Sequence, residues 1–176
     1  MTRQKLIEPL IVGKDVLDVG SAGEDSSLIF WKFLKTHTNS LTGIDTRPVG
    51  EPGVVVGNME TYLFGRRFDI IVAGDVLIQT DNQGLFLENC AVHLKPGGKL
   101  VLTLPNAKWP TVLFRPSPYQ TGWHDQFTLA QLLTRHNFMI TQLHFYQGNR
   151  PTFRFLRFFP GYRQAMLAVC TIKTEK

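Results

Sequence analysis

Apolar and polar positions along this chain follow two different periods. Short, nearly continuous apolar runs are typical of strands that are buried on both faces of a sheet. Such runs stand at 16–19 (VLDV), 68–73 (FDIIVA) and 99–104 (KLVLTL), and 41–45 (LTGID) and the β-branched 54–56 (VVV) are interpreted as two further strands. Between and after them, apolar residues recur at helical spacing. These stretches lie at 26–35, 81–94 and 128–136.

Strands that alternate with helices predict a mostly parallel sheet with right-handed crossovers. Residues 138–146 and 165–172 add two β-rich runs near the end of the chain. The segment 46–53 contains two Pro and two Gly, so we expect a loop there in place of a helix. We predict a single α/β domain over 1–176, with a doubly wound, seven-stranded, Rossmann-like sheet whose last strand is antiparallel.

The first predicted strand begins near Lys14, which leaves no room for helices before it. We therefore expect a thin roof over the binding site, whose cover is supplied by the Arg/Phe segment 150–163 and by residues 105–126. That stretch is rich in Pro, Asn, Ser, Trp and Tyr, and irregular excursions of this length inside a compact domain are usually functional.

In such sheets the ligand binds at the carboxyl ends of the strands, where the connectivity reverses. A glycine turn at 20–23 (GSAG) follows the first strand, and glycine lets a backbone approach a ligand closely. Asp45 follows the second strand 22 positions after Gly23, which is the separation that suits a carboxylate accepting both ribose hydroxyls. The sequence therefore predicts a nucleotide or nucleoside site.

The charge around this turn favours a cationic nucleoside. A nicotinamide-binding turn has the pattern G-x-G-x-x-G, whereas Glu24 and Asp25 stand here and would repel a pyrophosphate. S-adenosylmethionine has no phosphate and carries an ammonium group and a sulfonium. Asp18 and the nearby acids suit that ligand.

The motifs VLDVGSAG, GID, GNMETY, FDIIVAGDVL and LKPGGKLVLTLPN, in this order, resemble those of class I S-adenosylmethionine-dependent methyltransferases. The resemblance covers residues 14–146, and the segment 124–140 is similar to the branch that acts mostly on small molecules, sugars, lipids and quinones. It implies methyl transfer from S-adenosyl-L-methionine, without a metal. Two departures stand out: Ala22 replaces a usual glycine, and the helix after the second strand is missing.

The resemblance also implies roles for individual residues. The glycine turn would pass the methionine moiety, Asp18 would organise the turn, and Asp45 would hold the ribose. The residues after the third strand would border the adenine, and Asp75 would lie near the methionine end or the acceptor. The implied cofactor-binding set is Asp18, Gly20, Ser21, Ala22, Gly23, Asp45, Asn58, Met59, Glu60 and Asp75.

Methyl transfer is an in-line displacement, so a general base is needed only if the nucleophile must lose a proton. His124, at the end of the predicted cover, is the candidate base, and a histidine that only packs against or caps the following helix is the alternative. Cys90 and Cys170 form no CxxC pair and are expected to be reduced core thiols.

A net charge of +5 is compatible with an anionic partner. Four arginines interleave with aromatic residues near the end of the chain, a mixture that suits stacked bases, phosphates or an anionic membrane surface, or else an exposed loop. They are Arg150, Arg154, Arg157 and Arg163. The N-terminus has no signal-peptide core or membrane span, so we expect a cytoplasmic protein.

Three functional hypotheses stand at this point. The first is a methyltransferase acting on a small-molecule, saccharide-linked or lipid-linked acceptor. The second is a degenerate fold that binds S-adenosylmethionine or a partner without catalysis, which the thin roof and the missing helix after the second strand suggest. The third is a nucleic-acid methyltransferase, which the arginine-aromatic stretch suggests. A homodimer or a macromolecular acceptor could complete the roof.

Overall fold

A computed structural model describes residues 2–21, 25–114, 117–147 and 163–173. The helices are α1 (Arg3–Ile11), α2 (Asp25–His37), α3 (Gln83–His93), α4 (Pro110–Phe114) and α5 (Gln126–Arg135), with a 3-10 helix at Leu77–Gln79. The strands are β1 (Asp15–Val19), β2 (Ser40–Asp45), β3 (Val54–Val56), β4 (Phe68–Gly74), β5 (Leu94–Pro105), β6 (Phe138–Tyr146) and β7 (Ala165–Ile172).

The seven strands form one sheet in the order β3-β2-β1-β4-β5-β7-β6. The pairs among β1 to β5 are parallel, and β7 runs antiparallel to both β5 and β6. This arrangement confirms the predicted Rossmann-like fold and its antiparallel last strand. The connectivity reverses at β1, which lies between β2 and β4, so the carboxyl ends of these strands form the expected crevice.

Apolar side chains cover both faces of the sheet. On one face, α3 and α5 pack on strand residues such as Leu17, Ile71 and Leu102. On the other face, α1 and α2 pack on Val16, Val72 and other strand residues. Burial on both faces explains why the strand sequences are continuously apolar, and it fixes the sheet between two layers of helices.

A helix precedes the first strand, which corrects the expectation that the chain has no room for one. Helix α1 occupies Arg3–Ile11, and the Thr2 side chain accepts a hydrogen bond from the Lys5 N–H at its start. Ile7 and Ile11 are fully buried against the sheet and α2. An apolar stripe at i and i+4 is enough to bury a short helix, so the few residues before β1 suffice for α1.

Strand β5 is longer than the run 99–104 from which it was predicted. It begins at Leu94, and its pairing with β4 shifts register between Phe68 and Ile70. The stretch Pro96-Gly97-Gly98, which follows the end of α3, is accommodated by this irregularity, with Gly97 at a φ of 75°. Lys95 in the same stretch bonds both Asp15 and Asp69, at 2.7 and 3.1 Å, and joins the amino-terminal ends of β1 and β4.

In the described parts of the chain, no helix has the length and apolar character that crossing a membrane requires. Cys90 on α3 and Cys170 on β7 are both buried and free. Burial raises the pKa of each thiol, to about 12 for Cys170, which keeps these thiols neutral. They are therefore part of the apolar core.

Candidate functional site

The first wall of the crevice is the turn that follows β1. Gly20 has a φ of 84°, and its N–H donates a hydrogen bond of 2.9 Å to the carbonyl oxygen of Ile44 on β2. A Cβ on Gly20 would lie 2.5 Å from Cγ2 of Val76, so glycine is required both by the backbone angle and by this contact. The turn is thus fixed to the neighbouring strand β2 and to the residues after β4.

Asp18 and Ser21 form a buried polar pair inside this turn. The Ser21 hydroxyl lies 3.1 Å from the Asp18 carboxylate and 2.9 Å from the Asp18 carbonyl oxygen. Burial raises the pKa of Asp18 to about 7, although the hydrogen bond from Ser21 and the charge of Arg3 lower it, and the charge of Asp45 adds to the rise. Asp18 therefore titrates near neutral pH, which is typical of functional sites.

Asp45 ends β2 beside this pair. Only 8% of Asp45 is exposed, and its carboxylate accepts the Arg47 N–H at 3.0 Å. The strand register places Asp18 opposite Gly43, two residues before Asp45, and the two acids are close enough for the charge of Asp45 to raise the pKa of Asp18. The structure therefore brings together the two carboxylates that the sequence placed at neighbouring strand tips.

The loop after β3 carries the three residues that were expected to border adenine. Asn58 is exposed, and its side-chain oxygen accepts the Glu60 N–H at 2.9 Å. Met59 is buried in the apolar core. Glu60 accepts the Asp81 N–H at 2.9 Å. The Glu60 carboxylate thus joins this loop to the loop after β4.

Two side chains of helix α3, Asn89 and His93, hold the loop after β3 in place. The sequence did not predict this contribution. The Asn89 side-chain amide donates to the carbonyl oxygens of Met59 and Tyr62, at 2.7 and 2.8 Å. His93 Nε2 accepts the Phe64 N–H at 2.9 Å, so its Nδ1 is the protonated nitrogen that donates to Asn89. The signal in the sequence was that two polar residues, Asn89 and His93, lie four positions apart on an otherwise apolar face of the helix.

Asp75 follows β4 and has a φ of 60°, a conformation that non-glycine residues seldom adopt. Its N–H donates to the Thr103 carbonyl oxygen at 2.8 Å, and its own carbonyl oxygen accepts from Gln79. Backbone conformations of this kind cluster at functional sites. Ala22 and Gly23, the remaining members of the predicted set, lie outside the described residues.

Arg3 is the residue at this edge that the sequence reasoning did not assign. Its guanidinium carbon lies 4.1 Å from the ring centre of Phe30, and one of its nitrogens lies 3.1 Å from where a Cβ on Gly74 would stand. Arg3, Ile7 and Ile11 are spaced four residues apart on one helix face. That spacing was the signal that could have placed Arg3 against the sheet.

His124 lies in a second region, beside the residues that follow β4. Its Nε2 lies 3.1 Å from Oε1 of Gln83, whose amide nitrogen donates to Leu77. Nε2 therefore carries the proton and Nδ1 is the acceptor, buried and without a partner among the described residues. Burial lowers the pKa of His124, so the ring is neutral at pH 7. Asp125, not His124, caps α5.

A polar cleft of about 460 Å³ opens at this place. Its lining residues are Thr80, Asp81, Asn82, Gln83, Thr121, Gly122 and His124. Thr121 and Gly122, from the predicted cover, donate backbone hydrogen bonds to Ile78. The described part of the cover is therefore attached beside the residues that follow β4.

The arginine-aromatic stretch is only partly described. Arg150, Arg154 and Arg157 lie outside the described residues. Arg163 is described, and its guanidinium donates to the Phe145 carbonyl oxygen at 3.0 Å while its own carbonyl oxygen accepts from Asn106. Among the described residues, no group of three or more His, Cys, Asp and Glu side chains is arranged to hold a metal ion.

A family model and the curated relatives of this chain both identify it as similar to methyltransferases. A family model for a methyltransferase domain matches residues 2–149. Two curated relatives are ubiquinone biosynthesis O-methyltransferases: that of Nitrobacter winogradskyi is 35% identical over 79 residues, and that of Rhodopseudomonas palustris strain BisA53 is 33% identical over 79 residues. These matches cover 40% of this chain but only 30% and 31% of the relatives, so the chain spans about a third of their length.

Solved structures agree in fold. The N-methyltransferase NodS of Bradyrhizobium japonicum WM9 superposes with a TM-score of 0.70 at 17% identity, covering 98% of this chain and 95% of that one. The glycopeptide N-methyltransferase MtfA gives 0.67 at 14% identity, covering 97% and 88%. The chain belongs to the methyltransferase-domain family, and its fold is that of class I S-adenosylmethionine-dependent methyltransferases.

Proposed function

We propose that this chain transfers a methyl group from S-adenosyl-L-methionine to a small-molecule, saccharide-linked or lipid-linked acceptor in the cytoplasm. The observation that carries the proposal is the pair of buried carboxylates, Asp18 and Asp45, beside the Gly20 turn. Further support comes from the N-methyltransferase NodS, whose structure has been solved in complex with S-adenosyl-L-homocysteine. That structure superposes on this chain with a TM-score of 0.70 at 19% identity.

The described residues fit this cofactor chemically. Asp45 offers carboxylate oxygens at the tip of β2, where ribose hydroxyls can donate to them. Asp18 offers a negative charge to a cationic group in a buried place, where electrostatic attraction is stronger than in water. Asn58 presents an exposed amide at the predicted adenine edge, whereas the Glu60 carboxylate is already bonded to the Asp81 backbone.

The bound cofactor supplies an electrophilic methyl group, and the protein supplies alignment and exclusion of water. The described cover, held to Ile78 through Thr121 and Gly122, contributes both of these residues to the lining of the polar cleft. The side chains of this cleft offer hydroxyl, amide and carboxylate groups, so we propose that it receives a polar part of the acceptor. Matched relatives that methylate at oxygen or nitrogen support a small-molecule acceptor.

His124 is the proposed base for acceptors that must lose a proton. Its ring is neutral because burial lowers its pKa, and Gln83 Oε1 fixes the tautomer that leaves Nδ1 free to accept. A neutral, oriented imidazole is suited to proton abstraction near pH 7. Acceptors such as unprotonated amines would not require it.

The experiment is a transfer screen with S-adenosylmethionine labelled in its methyl group. The purified chain is incubated with pools of phenols and quinones, saccharides, amines, lipid-linked compounds and RNA, and label in each pool is measured. We expect label in a small-molecule pool and none with Asp45→Ala. Label in RNA alone would favour the nucleic-acid hypothesis. Tight cofactor binding with no transfer to any pool would favour the degenerate binding protein.

A further inference from the structure

Most side-chain protons of the polar cleft are already donated within the protein. Thr80 donates its hydroxyl hydrogen to the Leu77 carbonyl oxygen at 2.9 Å. The Thr121 hydroxyl lies 3.1 and 3.2 Å from the carbonyl oxygens of Ile78 and Thr80. The Gln83 amide nitrogen donates to Leu77 at 3.0 Å. These bonds hold the cover to the residues after β4, and they leave the lone pairs of both hydroxyl oxygens to a ligand.

Two further acceptors beside the cleft are buried and have no partner among the described residues. His124, of which 9% is exposed, donates from Nε2 to Gln83 Oε1 at 3.1 Å, and its Nδ1 is unpaired. Gln120 donates its amide to the carbonyl oxygen of Gly122 at 2.9 Å, and its own Oε1 is unpaired. Buried acceptors in native proteins are normally met by water or by a ligand. Because His124 lines the cleft, a ligand in the cleft can supply a donor to it.

The charge of the cleft is negative. Asp81 is an exposed member of the lining, and none of the lining residues that the structure describes is a lysine or an arginine. Burial lowers the pKa of His124 by more than the charge of Asp125 raises it, so the imidazole adds no positive charge at pH 7. Lys108 lies 3.5 Å from the Asp125 carboxylate, which its charge offsets. The Asp81 carboxylate therefore determines the charge that a ligand meets.

The start of helix α3 is the feature that would favour an anion instead. Helix N-termini attract negative charge through their free N–H groups, and α3 begins at Gln83 in the cleft wall. Two acceptors already serve this helix end, however. The Asn82 side chain accepts the Leu85 N–H at 3.0 Å, and the Asp81 carboxylate stands just before the first turn. An incoming anion would have to overcome the charge of Asp81.

An ammonium group matches this lining better than a hydroxyl or a carboxylate does. It carries three donors and no acceptor, whereas a hydroxyl has one donor and two lone pairs that need donors in return. The side-chain donors left in the described lining are the Asn82 amide and the second hydrogen of Gln83 Nε2. A carboxylate has only acceptors, and Asp81 would repel it.

We propose that the polar cleft binds a primary amino group of the methyl acceptor in its ammonium form, with Asp81 and His124 as its main partners. The inference rests on the proposed function and narrows it to acceptors that carry an amino group. A cleft of about 460 Å³ has room for such a group together with the part of the acceptor next to it. Acceptors that present a carboxylate or a phosphate at this position are excluded.

The test uses three probes that share one skeleton. Phenethylamine, phenethyl alcohol and phenylacetate end in an ammonium group, a hydroxyl and a carboxylate at pH 7. The chain is first saturated with S-adenosylhomocysteine, so that the cofactor site is filled. Probe binding is then followed by NMR through the backbone N–H signals of Thr121 and Gly122. We expect the amine to bind about tenfold more tightly than the alcohol, and the carboxylate to bind most weakly.

Asp81→Asn keeps the size of the side chain and removes its charge. The affinity for the amine should fall about fivefold, which corresponds to about 1 kcal/mol for an exposed charge pair, while that for the alcohol stays within about twofold. His124→Phe removes the Nδ1 acceptor and should also weaken the amine more than the alcohol.

Glu8→Gln is the matched control. Glu8 is an exposed carboxylate on α1, which packs on the other face of the sheet from α3, so its loss should change the affinity of no probe. Thermal unfolding checks that each variant is folded. If Asp81→Asn does not fold, the unaltered chain is titrated with N-acetylphenethylamine. This compound has lost the charge and two of the three donors, and it should bind no more tightly than the alcohol.

Three results would overturn the inference and leave the proposed function intact. One is that the amine binds no more tightly than the alcohol or the carboxylate. Another is that Asp81→Asn weakens the amine and the alcohol equally, which would reduce Asp81 to a structural residue. The third is that no probe shifts the signals of Thr121 and Gly122. If S-adenosylhomocysteine itself does not bind the unaltered chain, the proposed function fails at that first step and the inference fails with it.

Discussion

The side-chain amide of Asn89 donates a hydrogen bond of 2.7 Å to the backbone carbonyl oxygen of Met59. A second hydrogen bond, of 2.8 Å, runs from the same amide to Tyr62. One buried polar side chain on α3 thereby holds two residues, Met59 and Tyr62, of the loop that we expect to border adenine. The shape of this part of the site depends on a residue that does not face the ligand.

Asn89→Ala should lower both stability and cofactor affinity. The substitution leaves one buried and one partly buried carbonyl oxygen without this donor, which we expect to lower the free energy of unfolding by about 1–3 kcal/mol. S-adenosylhomocysteine should bind at least several-fold more weakly because the loop is no longer held. Urea denaturation and calorimetric titration measure the two effects.

Asn82→Ala is the matched control for this prediction. Asn82 caps the same helix by accepting the Leu85 N–H at 3.0 Å, and it has no described bond to the loop. Its loss should cost about 1 kcal/mol of stability and leave ligand affinity unchanged. Equal effects of the two variants on affinity would show that helix stability, and not the loop anchor, determines binding.

Gly20→Ala should destabilise the chain more than Gly13→Ala. Both glycines have positive φ, at 84° and 68°, so each substitution costs about 1–2 kcal/mol in backbone strain. Only at Gly20 would the new Cβ also collide, with Val76 Cγ2 at 2.5 Å, whereas nothing lies within 4 Å at Gly13. The measurement is the free energy of unfolding of each variant. Val76→Ala should remove the excess cost of Gly20→Ala, and an unchanged excess in that background would disprove the contact.

The titration of Asp18 predicts a dependence of stability on pH. The pKa of Asp18 is raised to about 7 in the folded chain, above the ordinary value of 3.8. Between these values the folded chain keeps a proton that the unfolded chain has lost. The Asp18 contribution to the free energy of unfolding therefore falls as pH rises from about 4 to about 7, by a few kcal/mol in all. The Asp18→Asn variant should lack this part of the slope, and denaturation of both proteins at pH 5 and pH 8 measures it.

The same titration predicts that pH affects the two cofactor forms differently. S-adenosylmethionine is a sulfonium cation, and S-adenosylhomocysteine is a neutral thioether at that position. Ionised Asp18 attracts the cation more strongly, so the affinity for S-adenosylmethionine should rise relative to that for S-adenosylhomocysteine between pH 6 and pH 8. Parallel titration curves for the two ligands would place the sulfonium away from Asp18. In Asp18→Asn the ratio of the two affinities should not change with pH.

The fold was predictable because burial on both faces leaves a simple pattern. The runs that became β1, β4 and β7 are apolar almost without interruption, and the proline-glycine connection at 46–53 lacks a helix as expected. Helix α1 escaped prediction because it is short and buries only a narrow stripe. The start of β5 at Leu94 was not predicted, because proline and glycine usually interrupt a strand. Here the shift in pairing register between Phe68 and Ile70 accommodates Pro96, Gly97 and Gly98 within β5.

Those residues of the candidate site that lie at the carboxyl ends of strands could be predicted from the sequence. Asp18 and Asp45 stand at neighbouring carboxyl ends because the parallel register requires it. Arg3 and Asn89 do not follow strand tips, since each reaches this edge of the sheet from a helix. Local spacing can assign each of them to a helix face, but the residues that this face contacts depend on how α1 and α3 pack on the sheet.

The central claim is that Asp18 and Asp45 form one cradle for an adenosyl compound. Calorimetric titration with S-adenosylhomocysteine at pH 7.5 tests it most directly, using the unaltered chain, Asp45→Ala and Asp15→Asn. Asp15 is a carboxylate at the opposite end of β1, where it bonds Lys95. The account predicts micromolar binding to the unaltered chain and to Asp15→Asn, and at least tenfold weaker binding to Asp45→Ala. Millimolar or absent binding to the unaltered chain, or equal binding to all three, would contradict it.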